Sequence, residues 1–130
     1  MATDIKAKRF TDGTAAAATT IAAAQTLGGA GNMTLASAAA TFGGTNLGQK
    51  ITLVSAGNIS AVTFTITGTD PTGASQTEDL TGPNNATVTS TKYFNTVTQI
   101  AASGAVGTNT SSGVAADQGG TLFAGRTRVR

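Results

Sequence analysis

The stretch VTFTITGTDPTGASQTEDL, residues 62–80, decides the fold class. In its first half, Val62, Phe64 and Ile66 alternate with threonines, which gives one apolar face and one polar face. Strict alternation of β-branched and aromatic residues with polar ones predicts a strand that is buried on one side. The stretch therefore indicates a sheet with a core beneath it and a threonine-rich outer face.

A turn interrupts the stretch at GTDPTG, residues 68–73. Pro71 presets its φ angle for a turn, and Gly73 can adopt a positive φ. The polar run ASQTEDL that follows predicts a return strand that mostly faces solvent. The whole stretch is therefore predicted to form a β-hairpin.

Other short runs of strand character lie on both sides of the hairpin, with turn residues between them. In one of these runs Val97 and Ile100 are three positions apart, so strict alternation would place them on opposite faces of the strand. This predicts a β-bulge or a strand end between them. Closely spaced strands of this kind predict an all-β fold, a small antiparallel β-sandwich or barrel. The runs are KITLVS (50–55), ATVTSTKYF (86–94), NTVTQIAAS (95–103) and GAVG (104–107).

The two ends of the chain differ in composition from this middle part. Residues 1–48 are rich in Ala, Thr and Gly without an apolar stripe, and they predict an extended N-terminal arm with one or two short strands. A helix over 15–25 is the alternative, because alanine favours helices. We interpret 49–107 as the β-sandwich core and 108–130 as a Gly/Ser loop with a flexible, Arg-rich C-terminal tail.

Large apolar side chains are scarce, because threonine, alanine and glycine make up about half of the 130 residues and aromatic residues only 5%. Since the core must be small, we expect the chain to gain stability from partners. The predicted core residues are Ile51, Leu53, Val62, Phe64, Ile66, Leu80, Val88, Tyr93, Phe94, Val97 and Ile100.

Charge is concentrated at the two ends. Residues 1–9 carry a net charge of +2 and residues 126–130 carry +3, whereas the stretch between them carries −3. We expect the basic ends to contact an acidic partner surface; solvated tails are the alternative. Such short basic runs, without interleaved aromatic residues, do not favour nucleic acid as the partner. The candidate partner contacts are Lys6, Lys8, Arg9, Arg126, Arg128 and Arg130.

Residues that carry chemistry are few. The sequence has no histidine and no cysteine, which excludes a Ser-His-Asp triad, a cysteine nucleophile and an ordinary zinc site. Glu78 and Asp79 are neighbours on a predicted strand and point to opposite faces, so they cannot work as a pair. We interpret Asp70 as the cap of the turn, and the other two carboxylates as part of a solvated edge that discourages edge pairing. We expect no catalytic residue, no metal and no cofactor.

The sequence also bears on the site of synthesis. Met1 is not followed by the apolar core of a signal peptide. No apolar run approaches the roughly 18 residues that a membrane span needs. We therefore expect synthesis in the cytoplasm and no membrane partner.

The order of short motifs in the middle of the chain resembles a family of small virion proteins of tailed bacteriophages. The resemblance covers roughly residues 20–107 and implies a β-rich structural protein that decorates or cements the head, without catalytic residues. The motifs are SAGN at 55–58, TFTITGTD at 63–70, TE at 77–78, GPN at 82–84, YF at 93–94, TVT at 96–98 and SGA at 103–105.

These observations predict a non-enzymatic capsid decoration protein on the outer surface of the virion. Its expected partners are the major capsid protein and copies of itself, as a dimer or trimer. A Thr/Ala/Gly surface suits this role, because small side chains lose little entropy when they pack against neighbours. A neck, tail or host-binding fibre component is the alternative; a secreted adhesin-type module is disfavoured by the small number of aromatic residues.

Overall fold

The computed structural model describes residues 17–36, 40–41 and 47–120, and this part of the chain contains strands and turns but no helix. The strands vary in length from two residues to fifteen. They are β1 (Ala17–Leu27), β2 (Gly31–Asn32), β3 (Ala40–Thr41), β4 (Leu47–Asn58), β5 (Thr63–Thr69), β6 (Ser75–Thr81), β7 (Asn84–Phe94), β8 (Thr96–Ala102) and β9 (Val106–Gly120).

The strands form two antiparallel sheets. The first sheet has the order β1-β9-β4-β7, and the second has the order β2-β8-β5-β6, with β3 also paired to β8. Apolar residues from both sheets form one buried cluster between them. The all-β fold predicted from the sequence, a small antiparallel β-sandwich, is confirmed.

Residues 62–80 form the predicted hairpin. β5 and β6 pair without a register shift, and Phe64 and Ile66 of β5 are fully buried while the flanking threonines are not. Gly73 has a φ of +95°. Its N–H donates to the carbonyl oxygen of Asp70 at 2.9 Å, which closes the turn.

The four strands β4 to β7 form one long two-stranded ribbon that bends in the middle. β4 pairs with β7 in its inner half, and the β5–β6 hairpin is its outer half. Two hydrogen bonds of 2.8 Å hold the bend. The N–H of Ile59 donates to the carbonyl oxygen of Pro83, and the N–H of Gly82 donates to the carbonyl oxygen of Val62. A Cβ on Gly82 would lie 2.2 Å from the carbonyl oxygen of Ile59, so the bend requires glycine. The bend brings β6 beside β7, and each is an edge strand of its own sheet.

The bulge predicted near Val97 is present in β8. The pairing of β5 with β8 joins Thr67 to Gln99 but Gly68 to Val97, so that Thr98 is an extra residue on β8. The hydroxyl of Thr98 donates to the carbonyl oxygen of Thr67 at 3.3 Å. The extra residue explains why the apolar residues of this strand change parity and still face the same core.

The ends of the described chain differ from the prediction. β1 is an 11-residue strand paired with β9, which is longer than the short strands expected for the arm and excludes the helix alternative for residues 17–25. β9 is a 15-residue strand between β1 and β4, at the centre of the first sheet. The prediction of a loop from residue 108 is therefore wrong for residues 108–120, which belong to β9. The expected tail, residues 121–130, and residues 1–16 of the arm lie outside the described residues.

β9 occupies a central position although its residues are small and polar. Thr110 and Ser112 are fully buried. The hydroxyl of Ser112 donates to the carbonyl oxygen of Thr52, and that of Thr110 to the carbonyl oxygen of Thr108, each at 3.0 Å. A buried hydroxyl is tolerated once it is hydrogen-bonded. β9 is therefore stabilised by hydrogen bonds of its buried hydroxyl groups, one within the strand and one to β4.

Nine of the eleven predicted core residues are buried. Of the other two, Val88 is half-buried and packs against the core. Tyr93 is also half-buried, and Lys50 lies over its ring with Nζ 5.3 Å from the centroid. The buried apolar residues that the sequence did not identify are Ile21, Ala22, Met33, Ile59, Ala102, Val106 and Val114.

Substitution of Gly68 by alanine is predicted to destabilise the fold. A Cβ at this position would lie 1.9 Å from the carbonyl oxygen of Thr96, so the backbone at the bulge would have to move. We expect a loss of about 1–3 kcal/mol in the free energy of unfolding, measured by urea denaturation. Gly107→Ala is the matched control, because this strand glycine has no atom within 4 Å of an added Cβ. Equal stability of the two variants would contradict the prediction.

Candidate interaction surfaces

The six basic residues predicted to contact a partner all lie outside the described residues. They are Lys6, Lys8 and Arg9 near the start of the sequence, and Arg126, Arg128 and Arg130 near its end. The described residues form the edges and outer faces of the two sheets. The three carboxylates of the hairpin, which the sequence singled out, lie on these surfaces.

Asp70 caps the turn of the hairpin, as the sequence predicted. Its Oδ1 accepts hydrogen bonds from the N–H of Thr72 at 2.8 Å, the hydroxyl of Thr72 at 2.6 Å and the N–H of Ala74 at 3.0 Å. These bonds, led by that of the Thr72 hydroxyl and followed by that of Ala74, lower the pKa of the Asp70 carboxyl below its ordinary value. The carboxylate thus stabilises the turn in its charged form.

Glu78 joins the two sheets, which differs from the solvated role that the sequence suggested. One carboxylate oxygen accepts the N–H of Thr91 at 2.7 Å, and the other accepts the N–H of Lys92 at 2.8 Å. Both donors belong to β7, the edge strand of the opposite sheet. The side chain therefore occupies backbone groups that another strand would otherwise pair with.

A β-bulge in β7 makes these two N–H groups available. β7 pairs with β4 at Tyr93 opposite Lys50 and at Thr89 opposite Thr52, so that three residues of β7 stand opposite Ile51. On the side that faces β4, the hydroxyl of Ser90 takes the place of a backbone carbonyl and accepts the N–H of Ile51 at 2.8 Å. The same hydroxyl donates to the carbonyl oxygen of Lys92 at 2.8 Å. Glu78 completes the bonding on the outer side.

Two further side chains strengthen this side of the sandwich. The amide Nε2 of Gln76 donates to the carbonyl oxygen of Tyr93 at 2.6 Å. The Nζ of Lys92 donates to the carbonyl oxygen of Thr77 at 2.7 Å. β6 and β7 are thus connected by bonds in both directions, and we call this set, formed by Gln76, Glu78 and Lys92, the β6–β7 seam.

The opposite side of the sandwich is closed by the segment that contains β2. After β2, the N–H of Met33 donates to the carbonyl of Ile100 in β8 at 2.8 Å. The N–H of Ala36 donates to the carbonyl of Ile21 in β1, also at 2.8 Å. The segment therefore crosses from the second sheet to the first.

Gln25 of β1 holds the middle of this crossing segment. Its Oε1 accepts the N–H of Thr34 at 2.8 Å, and its Nε2 donates to the carbonyl of the same residue at 2.9 Å. The side-chain amide thus bonds to Thr34 as a backbone peptide group of a neighbouring strand would. We call the contact of Gln25 with this segment the β1 seam.

The outer face of the second sheet presents a set of mostly polar side chains from β5, β6 and β8. Because Phe64 and Ile66 face the core, the alternate residues of β5 and their paired neighbours face outward. We call this surface the threonine face. It consists of Thr63, Thr65, Thr67, Thr69, Ser75, Thr77, Asp79, Thr81, Thr96, Gln99 and Ala101.

Hydrogen bonds within the threonine face fix several of its side chains. The hydroxyl of Thr65 donates to Oδ1 of Asp79 at 2.6 Å, and the hydroxyls of Thr69 and Thr96 are 2.7 Å apart. Asp79 is the one ionisable residue in the set. The face therefore presents ordered hydroxyl and methyl groups around a single carboxylate.

Two shallow depressions lie elsewhere on the surface. One, of about 340 Å³, lies between β1 and residues 34–36 and is lined mainly by alanine and threonine. The other, of about 270 Å³, lies on the outer side of the first sheet and includes Val54 and Thr87. Neither is lined by an ionisable side chain, so neither offers groups for acid–base chemistry.

Within residues 17–36, 40–41 and 47–120, no cluster of three or more His, Cys, Asp or Glu could hold a metal ion. The same part of the chain has no helix long and apolar enough to span a membrane. Comparisons with protein-family models, curated proteins and solved structures found no match. The seams and the threonine face are therefore the features from which a function has to be inferred.

Replacement of Glu78 by alanine is predicted to open the β6–β7 seam. The variant leaves the N–H groups of Thr91 and Lys92 without their carboxylate acceptor. We expect a loss of about 1–2 kcal/mol in the free energy of unfolding, and faster amide hydrogen exchange at these two residues. Asp79→Ala is the matched control, because this neighbouring carboxylate bonds to a threonine hydroxyl on the outer face. Unchanged exchange at Thr91 and Lys92 would show that the seam does not protect them.

The turn is predicted to lose stability in acid through Asp70. Since its folded pKa is lowered, the stabilisation is fully present above the unfolded pKa of about 3.9 and is lost as the pH falls through the lower folded pKa. Asp70→Asn keeps the shape of the side chain and removes its titration. In urea denaturation at a series of pH values, the stability difference between wild type and variant should therefore shrink below about pH 4. A difference that is constant with pH would contradict this assignment.

Proposed function

We propose that the protein is a non-enzymatic structural component of a bacteriophage virion, a decoration protein that binds the outer surface of the capsid and stabilises it. The observation that carries the proposal is the threonine face, which contains no lysine, arginine or glutamate. Such a face packs against a neighbour with little loss of side-chain entropy. The motif order in residues 20–107, which resembles tailed-phage virion proteins, supports the same role.

The two seams fit this role as well. Many copies of a decoration protein stand close together on a shell, where exposed strand edges would pair with one another. In this protein, side chains of Gln25, Gln76, Glu78 and Lys92 occupy backbone groups at the sides of the sandwich. Copies can therefore crowd together without joining their sheets.

The proposed partner is the major capsid protein, and the basic ends are the proposed points of contact. Lys6, Lys8 and Arg9 at one end, and the three arginines at the other, carry charge opposite to that of an acidic shell surface. Each contact of this kind is weak by itself. On a shell, the repetition of contacts over many copies supplies the avidity.

The experiment that tests the proposal is a measurement of copy number in purified virions by quantitative mass spectrometry. We expect a copy number that scales with the number of capsomers, and we expect heads from a deletion strain to lose heat or osmotic resistance. Supplying the gene in trans is the control and should restore both. Low copy number with labelling at the tail would place the protein in the neck, tail or fibre, and deletion heads of normal stability would refute a stabilising role.

A further inference from the structure

We propose that the Arg-rich segment 126–130 of one copy binds the β5–β6 hairpin of a second copy, with Asp79 on the threonine face as the central acceptor. The interaction would link copies of the chain to each other. It does not depend on the proposed virion role, since it concerns only this chain. On a shell, it would assign the arginines to contacts between copies and leave Lys6, Lys8 and Arg9 for the contact with the capsid protein.

The distribution of charge supports an acidic acceptor and a basic donor within the same chain. Residues 17–120 contain two lysines against four carboxylates, a net charge of −2. Residues 121–130 contain three arginines and no acid, a net charge of +3. Two copies can therefore neutralise part of each other's charge when the end of one lies on the body of the other.

The hairpin carries the two carboxylates suited to this contact. Asp79 is exposed, and its bond from Thr65 involves Oδ1. At the tip of the same hairpin, the three side-chain bonds of Asp70 also involve Oδ1. Neither aspartate makes an ion pair within the described part of the chain, where Lys92 is bonded across the seam instead. Each therefore retains a carboxylate oxygen that can accept an arginine N–H.

The spacing of the arginines in the segment is similar to the spacing of the two aspartates in the hairpin. Asp79 pairs with Thr65, which lies five residues before Asp70, so the two aspartates lie about 17 Å apart along the hairpin backbone, Asp79 on the threonine face and Asp70 at the turn. In an extended RTRVR segment, alternate residues point to one side, and the first and last arginines lie about 13 Å apart. The long arginine stems cover the remaining distance and can lie along the threonine methyl groups.

A strand edge would be the other way to bind an extended segment, and the seam works against it. Gln76 and Lys92 occupy groups along β6 and β7, so an added strand would have to displace them. The outer face needs no such displacement. The segment is therefore assigned to the face of the hairpin and not to its edge.

Analytical ultracentrifugation of the full chain over a range of concentrations tests the proposal. We expect reversible self-association at low ionic strength that weakens between about 20 and 300 mM salt, because exposed ion pairs are screened. Asp79→Asn should weaken it about two- to fivefold, and the triple variant R126Q/R128Q/R130Q about tenfold. Asp12→Asn is the matched control, since it changes the net charge equally at a position outside the hairpin.

A mixing experiment identifies the occupant of the face. Asp79→Asn retains the arginines and R126Q/R128Q/R130Q retains Asp79, so an equimolar mixture should associate more strongly than the average of the two variants measured separately at the same total concentration. NMR shifts of Thr65 and Asp79 should follow this association. Binding to a second copy would be overturned by a wild type that stays monomeric at all concentrations, or by a mixture that shows no gain in association. It would also be overturned if the arginine substitutions shift the Thr65 and Asp79 signals while the molecular mass in solution stays that of a monomer.

Discussion

The two hydrogen bonds from the backbone of β7 to the carboxylate of Glu78 are the interaction on which the rest of the sandwich depends. β7 bulges opposite Ile51, and its N–H groups at Thr91 and Lys92 turn away from the ladder. Thr91 and Lys92 are exposed, so without the carboxylate their N–H groups would bond to water and β7 would lose its connection to β6. The bend at Gly82 places Glu78 where it satisfies both, so the folding of the ribbon and the bulge in β7 support each other.

Side-chain hydrogen bonds to backbone groups also close the opposite side of the sandwich. There, the amide of Gln25 bonds to both backbone groups of Thr34, and residues 33–36 connect β8 to β1. A chain with few large apolar residues gains limited stability from its core. Side chains that act in place of a neighbouring strand close the sandwich without adding apolar bulk. This explains how a sequence so rich in small residues encloses one continuous core.

The sequence predicted those features whose causes lie close together in the chain. Alternation in β5, the turn at Pro71 and Gly73, and the bulge after Val97 all follow from neighbouring residues. β9 was not predicted beyond Gly107, because Ser112 is stabilised by the carbonyl of Thr52, which is distant in sequence.

The prediction for Glu78 differs from the structure in one part, for the same reason as for β9: the side chain does occupy edge groups, but it bonds to a second strand. On an alternating strand its position reads as a solvated edge, and only the bend between β6 and β7 brings it to Thr91. The threonine outer face was predicted correctly, since it is the complement of the apolar face of β5. The basic residues at the two ends are defined by charge alone, and no local pattern assigns them a partner.

The arrangement of closed sides and an open face constrains how this protein associates with others. Edge pairing joins backbones, continues from copy to copy and is insensitive to side-chain identity. Binding through the threonine face depends on side chains, and therefore on the position of Asp79 and of the hydroxyl groups around it. Contacts of that kind are individually weak and depend on which side chains the partner presents. The seams thus disfavour a fibre built by strand pairing and leave side-chain contacts as the means of association.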